Sequence, residues 1–554
     1  MWTRLERTDD LAELESKLRL YFLLLCDLNH MQSKVSATIL ILSGRLTGKA
    51  VFFFFLAMRQ PATCCKHGII AMMRIAIIGG GIAGLAAAYE LEKAHNAGTP
   101  VTYTLFEARE RLGGSLSSEI IDGAVIERGP DSFLTEKPAA AELCRELGLG
   151  EELIPSNDAN RKTYILVRNR LVALPDGLMF LVPTKLVPTA LTPLFSFSTK
   201  VRMALELLHP PRPSGLPDEA VAALVERHYG TEAVNRLADP LLSGIYGGDA
   251  TQLSARTVLP RLVEMETQYG SLTRGMLAAH RKMRAMAKTA QTNGGGKSAA
   301  PRAPRSIFTA LSGGMQQLVN ALTAKLDPAS IRISTPVSAI NRDTNGWSVT
   351  AAGTTENYDA IILSSPAWAV GALLAPIDPV LGEDLSAIPY SSSITVNLVF
   401  DESKLGALPE GFGFLVPAVE GRAMLACTFA QRKFLGRTPP GKAVFRAFLG
   451  GIRNEALMTE PDEALVAVVR RELSEILGEK TISATTEPEY TQVTRWRRAM
   501  AQYTVGHQER IARVNSHAAA LPGLRLAGNA YDGIGIPDCI RLGRKAAKEL
   551  VAQA

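Results

Sequence analysis

Arg74-Ile75-Ala76-Ile77-Ile78-Gly79-Gly80-Gly81-Ile82-Ala83-Gly84 is the stretch that decides the fold. Arg74 to Ile78 has the near-continuous apolar run of a strand buried on both faces. The glycines follow at once, and Leu85 to Lys93 opens a helix. A second strand, Val101 to Phe106, ends on Glu107. This is a βαβ unit with G-x-G-x-x-G at the strand-to-helix turn, the setting in which that motif holds a dinucleotide. Gly79 allows the tight turn, Gly81 lets backbone approach a pyrophosphate, and Gly84 lets helix and strand pack closely. Backbone N–H groups at Ile82 and Ala83, at the positive end of the helix dipole, face the phosphates. Glu107 lies 23 residues after Gly84, where an acid accepts bonds from ribose hydroxyls.

The second strand continues as Glu107-Ala108-Arg109-Glu110-Arg111-Leu112-Gly113-Gly114. Arg111, with Arg109 beside it, is in reach of the pyrophosphate, and Gly113-Gly114 brings backbone close to the far end of the cofactor. An exposed charged turn is the competing explanation of the two arginines.

The chain has 554 residues, enough for two or three domains. A hydrophobic content of 47% with 21% charged residues is that of a globular enzyme. A net charge of +6 is too modest at this length to argue for nucleic acid, but permits an anionic substrate or membrane surface. The six cysteines form no C-x-x-C, which predicts a reducing compartment and no metal site.

Residues 1–72 differ from the rest. Their apolar runs, Leu20 to Cys26 and Val51 to Met58, are short of the ~20 residues needed to cross a bilayer. Met72-Met73 stand directly before the first strand, so the segment reads as an extension upstream of the true start, with a poorly ordered tail as the alternative.

Beyond the βαβ unit, Pro138 to Leu147 has a helical apolar stripe, and Tyr164 to Val167 with Leu171 to Leu174 form a hairpin. Leu178 to Leu208 is apolar, but Pro183, Pro188 and Pro193 break any single spanning helix. It predicts a membrane-facing patch or a hydrophobic channel wall, with short core helices joined by prolines as the alternative. Glu219 to Arg227 and Glu232 to Asp239 are helical. Arg281 to Arg305 holds seven basic and no acidic residues, and predicts a solvated, mobile insertion. Sheet pattern returns in Ile331 to Ile340, which carries Val337, and in Trp347 to Thr350 and Tyr358 to Leu363. Ile394 to Phe400, Met424 to Phe429 and Ala443 to Phe448 alternate like strands of a second sheet, and Pro461 to Leu477 is an amphipathic helix.

Near the C-terminus a strand runs into Gly528-Asn529-Ala530-Tyr531-Asp532-Gly533-Ile534-Gly535-Ile536-Pro537, with Pro537 at a helix start. A helix N-terminus there favours negative charge before it. Two glycine-rich strand-to-helix turns, one towards each end, fit one extended dinucleotide, which assigns Gly528, Asn529, Gly535, Ile536 and Pro537 to its binding and places Val337 with them.

Together these residues resemble the oxygen-dependent protoporphyrinogen or coproporphyrinogen oxidase family, within the flavin amine oxidase superfamily, from about Arg74 onward. Glu127-Arg128-Gly129-Pro130-Asp131-Ser132-Phe133 and Gly528 to Cys539 also occur, more loosely, in amine and carotenoid relatives. Asp239 to Asp249 and Gly411 to Pro417 are narrower; Arg495 to His507 also resembles the family, although proline is usual where Ala501 stands. The resemblance implies a p-cresol-methylhydroxylase-like or amine-oxidase-like fold, one noncovalent FAD and no metal. It implies oxidation of protoporphyrinogen IX or coproporphyrinogen III in heme biosynthesis, an oxidation of CH–CH groups by dioxygen that releases hydrogen peroxide. Ferrochelatase is a candidate recipient of the product. Placement is cytoplasmic, with peripheral contact at the inner membrane face as an option.

The expected fold class is therefore α/β: a Rossmann-like FAD domain (73–133, 308–372 and 496–554), a helical cap (134–260), and a mixed-sheet substrate domain (261–307 and 373–495) carrying the insertion 281–305. Substrate propionates need cations, for which Arg161 and Lys162 lead, with Arg128 behind them. Phe414, Leu415 and Phe429 are candidates for apolar ring contacts, and core packing explains the phenylalanines nearly as well. His507 is read as structural, and no acid–base residue is assigned. The alternatives are a flavin amine oxidase, a carotenoid-desaturase-like oxidoreductase, and a flavoprotein without turnover.

Overall fold

Met73–Ile78 lies at the centre of a five-stranded parallel sheet in the computed structural model of the chain. The structure describes residues 39–46, 49–56, 72–179, 181–292, 306–344 and 346–554. They fall into two units, Met1–Ala71 and Met72–Ala554. In the first, Ile39–Leu46 pairs antiparallel with Lys49–Leu56, which contains most of the run beginning at Val51. The run Leu20 to Cys26 lies outside the described residues.

In the second unit, Val101–Phe106 and Ala360–Leu363 flank the central strand, and Ile331–Arg332 and Leu524–Leu526 form the edges. Ile75 and Ile77 are fully buried, as a strand covered on both faces requires. Helices Ile82–Asn96 and Ile536–Val551 pack together on one face. Their approach depends on Gly543, where a Cβ would stand 2.0 Å from the Ala83 carbonyl oxygen. On the other face lies an antiparallel meander of Val337–Asp343, Gly346–Ala351 and Thr354–Tyr358, built around buried Trp347. Ile331 to Ile340 is not one strand. Ser334 adopts φ +50° and Pro336 lacks an N–H, so the chain leaves the parallel sheet and restarts in the meander at Val337.

The second sheet has seven strands. Its order is Arg170–Ala173, Thr163–Val167, Gly413–Leu415, Met424–Phe429, Lys442–Gly450, Tyr390–Asp401 and Tyr490–Ala501. Only the Thr163–Val167 and Gly413–Leu415 pair is parallel. Helix Asp462–Leu477 buries Leu465, Val469 and Leu473 in the same core as Phe400 and Phe445. The register shifts between Ser391 and Ser393, so Arg497 to Ala499 bulge out of the last strand.

The cap packs Val221–Tyr229 and Asp239–Tyr246 with Pro260–Tyr269 and Leu272–Thr292 around Leu224, Tyr229, Leu262 and Leu272. The last two helices therefore join the cap, not the mixed sheet, because their apolar stripes have no other core to enter. Conversely, helix Ala139–Glu146, expected in the cap, buries Leu143 and Cys144 in the dinucleotide domain. Residues 281–292, expected to be mobile, continue a helix of good helix formers ahead of Gly294. Residues 293–305 lie outside the described residues.

Candidate functional site

The first glycine turn is closed by its own backbone. Gly79 adopts φ +114°, and a Cβ there would stand 2.8 Å from the Ser365 amide nitrogen. A Cβ on Gly84 would stand 1.9 Å from the Gly79 carbonyl oxygen, so helix and strand meet only without a side chain. A Cβ on Gly81 would meet nothing within 4 Å, which leaves that backbone open to the cavity. The Glu107 carboxylate fixes the neighbourhood: it accepts from the Gly80 amide at 2.7 Å and the Arg109 amide at 2.9 Å. Gly113 donates its amide to the Gly80 carbonyl at 2.8 Å. Gly81 is the N-cap of the first helix, and no side chain caps it.

The second turn repeats this arrangement. Gly528 (φ +134°) and Gly533 (φ +100°) bend the chain between Leu524–Leu526 and the last helix, with Pro537 in its first turn and no side-chain cap at Gly535. Both turns open into one cavity of about 2680 Å³. That exceeds the ~300–1,000 Å³ of an ordinary small-molecule site. Two uncapped helix N-termini on one elongated cavity, with glycine backbone bare to it, fit FAD with room left for a large substrate.

Most residues assigned to the cofactor line this cavity: Gly79, Gly81, Ile82 and Ala83 from the first turn, then Glu107, Ala108, Arg109, Gly113 and Gly114. Val337 lines it from the meander, and Gly528, Asn529, Gly535, Ile536 and Pro537 from the second turn. Gly84 lies behind the turn, in the packing. Arg111 is placed differently from the expectation. Its guanidinium donates to the carbonyls of Leu112, Gly114 and Leu116, and so braces the Gly113-Gly114 loop in place of reaching the cavity.

The substrate candidates divide. Arg161 lines the cavity, and among the described residues its side chain has no ion-pair partner. Lys162, one residue on, points the other way and pairs with Glu410 at 2.6 Å on the exposed surface. Arg128 pairs with Glu119 at 2.7 Å and does not line the cavity. Phe414 and Phe429 are buried in the core of the mixed sheet against each other, ring centroids 6.1 Å apart. Neither they nor Leu415 line the cavity. Alternation along a strand marks a side chain as buried, but not which buried space it enters.

The residues that do form the substrate end come from distant stretches. Leu241, Ile245, Tyr246, Met265 and Met276 of the cap supply apolar wall, with Phe412 opposite. Arg261 and Arg498 add two guanidiniums that, among the described residues, lack carboxylate partners. Arg498 sits in the strand bulge at φ +44°, its guanidinium 4.5 Å from the Trp368 ring centroid. Bulges re-aim side chains in this way. The bulge is tied to the second turn by Asn529, whose Nδ2 donates to the Ala499 carbonyl at 2.9 Å. Nothing in the local sequence announces the bulge; the signal available was two further arginines after Trp496.

The titrating groups near the second turn are held away from neutrality. Burial lowers the His507 imidazole to about 4. Burial raises the Tyr246 phenol and the Cys539 thiol, each to about 12. These three groups neither gain nor lose a proton at neutral pH, which suits a reaction in which hydrogen leaves to a bound acceptor.

The family described as flavin containing amine oxidoreductase matches residues 82–551. Coproporphyrinogen III oxidase of Bacillus subtilis (strain 168) is 34% identical over 86% of this chain and 97% of its own length. Chloroplastic protoporphyrinogen oxidase 1 of Spinacia oleracea is 28% identical over 86% and 83%. A solved structure from Exiguobacterium sp. 255-15, provisionally assigned as a protoporphyrinogen oxidase, is 33% identical. It covers 87% of this chain and 99% of that one, with a TM-score of 0.74.

Proposed function

The chain belongs to the flavin-containing amine oxidoreductase family, and from that premise we propose that it binds FAD and oxidises a porphyrinogen to the corresponding porphyrin. One observation carries the reading. A single cavity joins two uncapped helix N-termini to an apolar chamber edged by Arg161, Arg261 and Arg498. FAD held there would supply a two-electron acceptor, and three rounds, each reducing one dioxygen to hydrogen peroxide, would remove the six hydrogens by which porphyrinogen and porphyrin differ.

The residues of the chain do the rest. The glycine turns hold the cofactor's phosphates and its ring end through backbone amides. The cap side chains Leu241, Ile245 and Met265 cover the apolar macrocycle and keep water from it. The three guanidiniums take propionates, each a charge-assisted contact with an oxygen anion. At least three unpaired cations exceed the two propionates of protoporphyrinogen IX, which favours coproporphyrinogen III. The relative from Bacillus subtilis, named for that substrate, points the same way. No protein nucleophile is required, and no side chain is assigned to the protons that leave the macrocycle.

Peripheral membrane contact belongs to the same proposal. Among the described residues no helix is long and apolar enough to cross a membrane. Short helices Leu186–Leu191 and Phe197–Leu205 nevertheless expose Leu191 (78%), Phe197 (82%) and Leu205 (56%), with Lys200 and Arg202 between them. An apolar face set among cations fits an anionic bilayer surface.

Turnover in air tests the oxidation. Purified protein with either porphyrinogen is expected to yield porphyrin fluorescence and hydrogen peroxide together, faster from coproporphyrinogen III. Porphyrin formation no faster than without protein overturns the reading.

A further inference from the structure

The second glycine turn has little backbone support from its surroundings. From Gly528 to Ile534 no close backbone–backbone hydrogen bond ties it to another element, and two of its glycines sit at positive φ. The bond that closes it comes from outside. The Tyr503 hydroxyl donates to the Asn529 carbonyl at 2.8 Å and accepts from the Gly533 amide at 3.0 Å. One phenol oxygen thus stands where a turn ordinarily has its own C=O to H–N bond.

The phenol is itself held rigidly. Tyr503 is 3% exposed, and its backbone carbonyl accepts from the Ser254 amide at 2.8 Å, which ties it to the cap. His507, 1% exposed, stacks on the ring at 4.2 Å between centroids and 20° between planes. The backbone of Ala530 and Tyr531 lies beside its ring nitrogens, so the imidazole bears on the turn as well as on the phenol. Burial also keeps the Tyr503 phenol protonated far above neutrality, so its donated bond persists.

We propose that Tyr503 is a positioning residue that sets the form of the cofactor-facing turn Gly528–Gly535, with His507 as the plate that fixes the phenol. The proposal rests on the reading that FAD occupies this cavity. Through this turn Tyr503 sets where the amides at the start of the last helix stand relative to the isoalloxazine end of the cofactor.

The test compares Tyr503→Phe with Tyr103→Phe. Tyr103 is a buried tyrosine of the dinucleotide sheet whose hydroxyl donates to Glu92 at 2.6 Å, away from the cavity. FAD affinity, flavin midpoint potential and the fine structure of the flavin absorption band are measured for both and for the unmodified protein. Loss of two hydrogen bonds predicts roughly tenfold weaker FAD binding in Tyr503→Phe. A lowered potential and a blurred band are expected with it. Tyr103→Phe is expected to lose some thermal stability only. His507→Ala, which frees the ring, is expected to reproduce the spectral change at smaller size. If Tyr503→Phe matches the unmodified protein in affinity, potential and spectrum, the inference is overturned. If the unmodified protein binds no FAD, it is the reading beneath it that fails.

Discussion

The first glycine turn and the helical cap are built on opposite principles. At Gly79–Gly84 everything is close: backbone meets backbone, and one carboxylate, Glu107, accepts the amides of Gly80, inside the turn, and of Arg109. In the cap, a charged triad holds the interior together from afar. His228 (1% exposed) lies between Glu206 (0%) and Glu266 (5%), at 3.0 and 3.1 Å. The Glu206 carboxylate also accepts from the Ser271 hydroxyl and the Leu272 amide, while Arg227 donates to Glu266. One region is fixed by shape and the other by compensated charge, so they should fail in different ways.

The largest effect is expected at the turn. In Gly84→Val a side chain must enter where the Gly79 oxygen already stands. A cost above ~3 kcal/mol follows, with loss of bound FAD. Flavin content after purification and the unfolding temperature check it. His228→Leu in the cap is expected to be nearly as destabilising, by ~3 kcal/mol, because it leaves the buried Glu206 carboxylate without a cation, while Glu266 keeps Arg227. The contrast predicts that whatever folds still binds FAD normally. Equal loss of FAD in both variants would erase the distinction.

A pH series sharpens it further. Burial alone would raise the Glu266 carboxyl, but hydrogen bonds from His228 and Arg227 outweigh it and hold the group down at about 2. Its contribution is present above about 4.5 and is lost as pH falls towards about 2. Burial alone would lower His228, but Glu206 and Glu266 raise it above 6.5 overall. That contribution is complete below 6.5 and is lost as pH rises through the raised value. The cap should therefore be most protected from amide hydrogen exchange between these limits. Its protection should decline on the alkaline side while the helix Ile82–Asn96 is unchanged.

A smaller effect is expected at the chamber wall. Arg161→Ala or Arg261→Ala should raise KM for coproporphyrinogen III about tenfold, the scale of one charge-assisted contact, with little change in FAD affinity. Lys162→Ala, which removes only a surface pair with Glu410, should not.

How much could be read in the sequence follows the same division. The first turn was legible because its geometry needs glycine at three fixed spacings, followed by an acid at the end of the next strand. The second turn was legible for the same reason, helped by Pro537. Glu206, His228 and Glu266 come together only because three helices fold back on one another, and no spacing announces them. The mixed sheet was legible as strands, yet Phe414 and Phe429 stay open between ring contact and core packing, because periodicity cannot tell a core from a cavity. Arg161 and Lys162 are adjacent, and a strand about to begin turns them to opposite sides. Arg498 reaches the chamber through a bulge that depends on the register of two strands about a hundred residues apart in sequence.

The central claim, that this cavity brings a porphyrinogen against bound FAD, is tested most directly by mixing the purified protein with coproporphyrinogen III without oxygen. The flavin absorbance near ~450 nm is then followed. The account predicts rapid bleaching, with colour and porphyrin fluorescence returning together when air is admitted. A yellow protein that stays unbleached with coproporphyrinogen III and with protoporphyrinogen IX would contradict it.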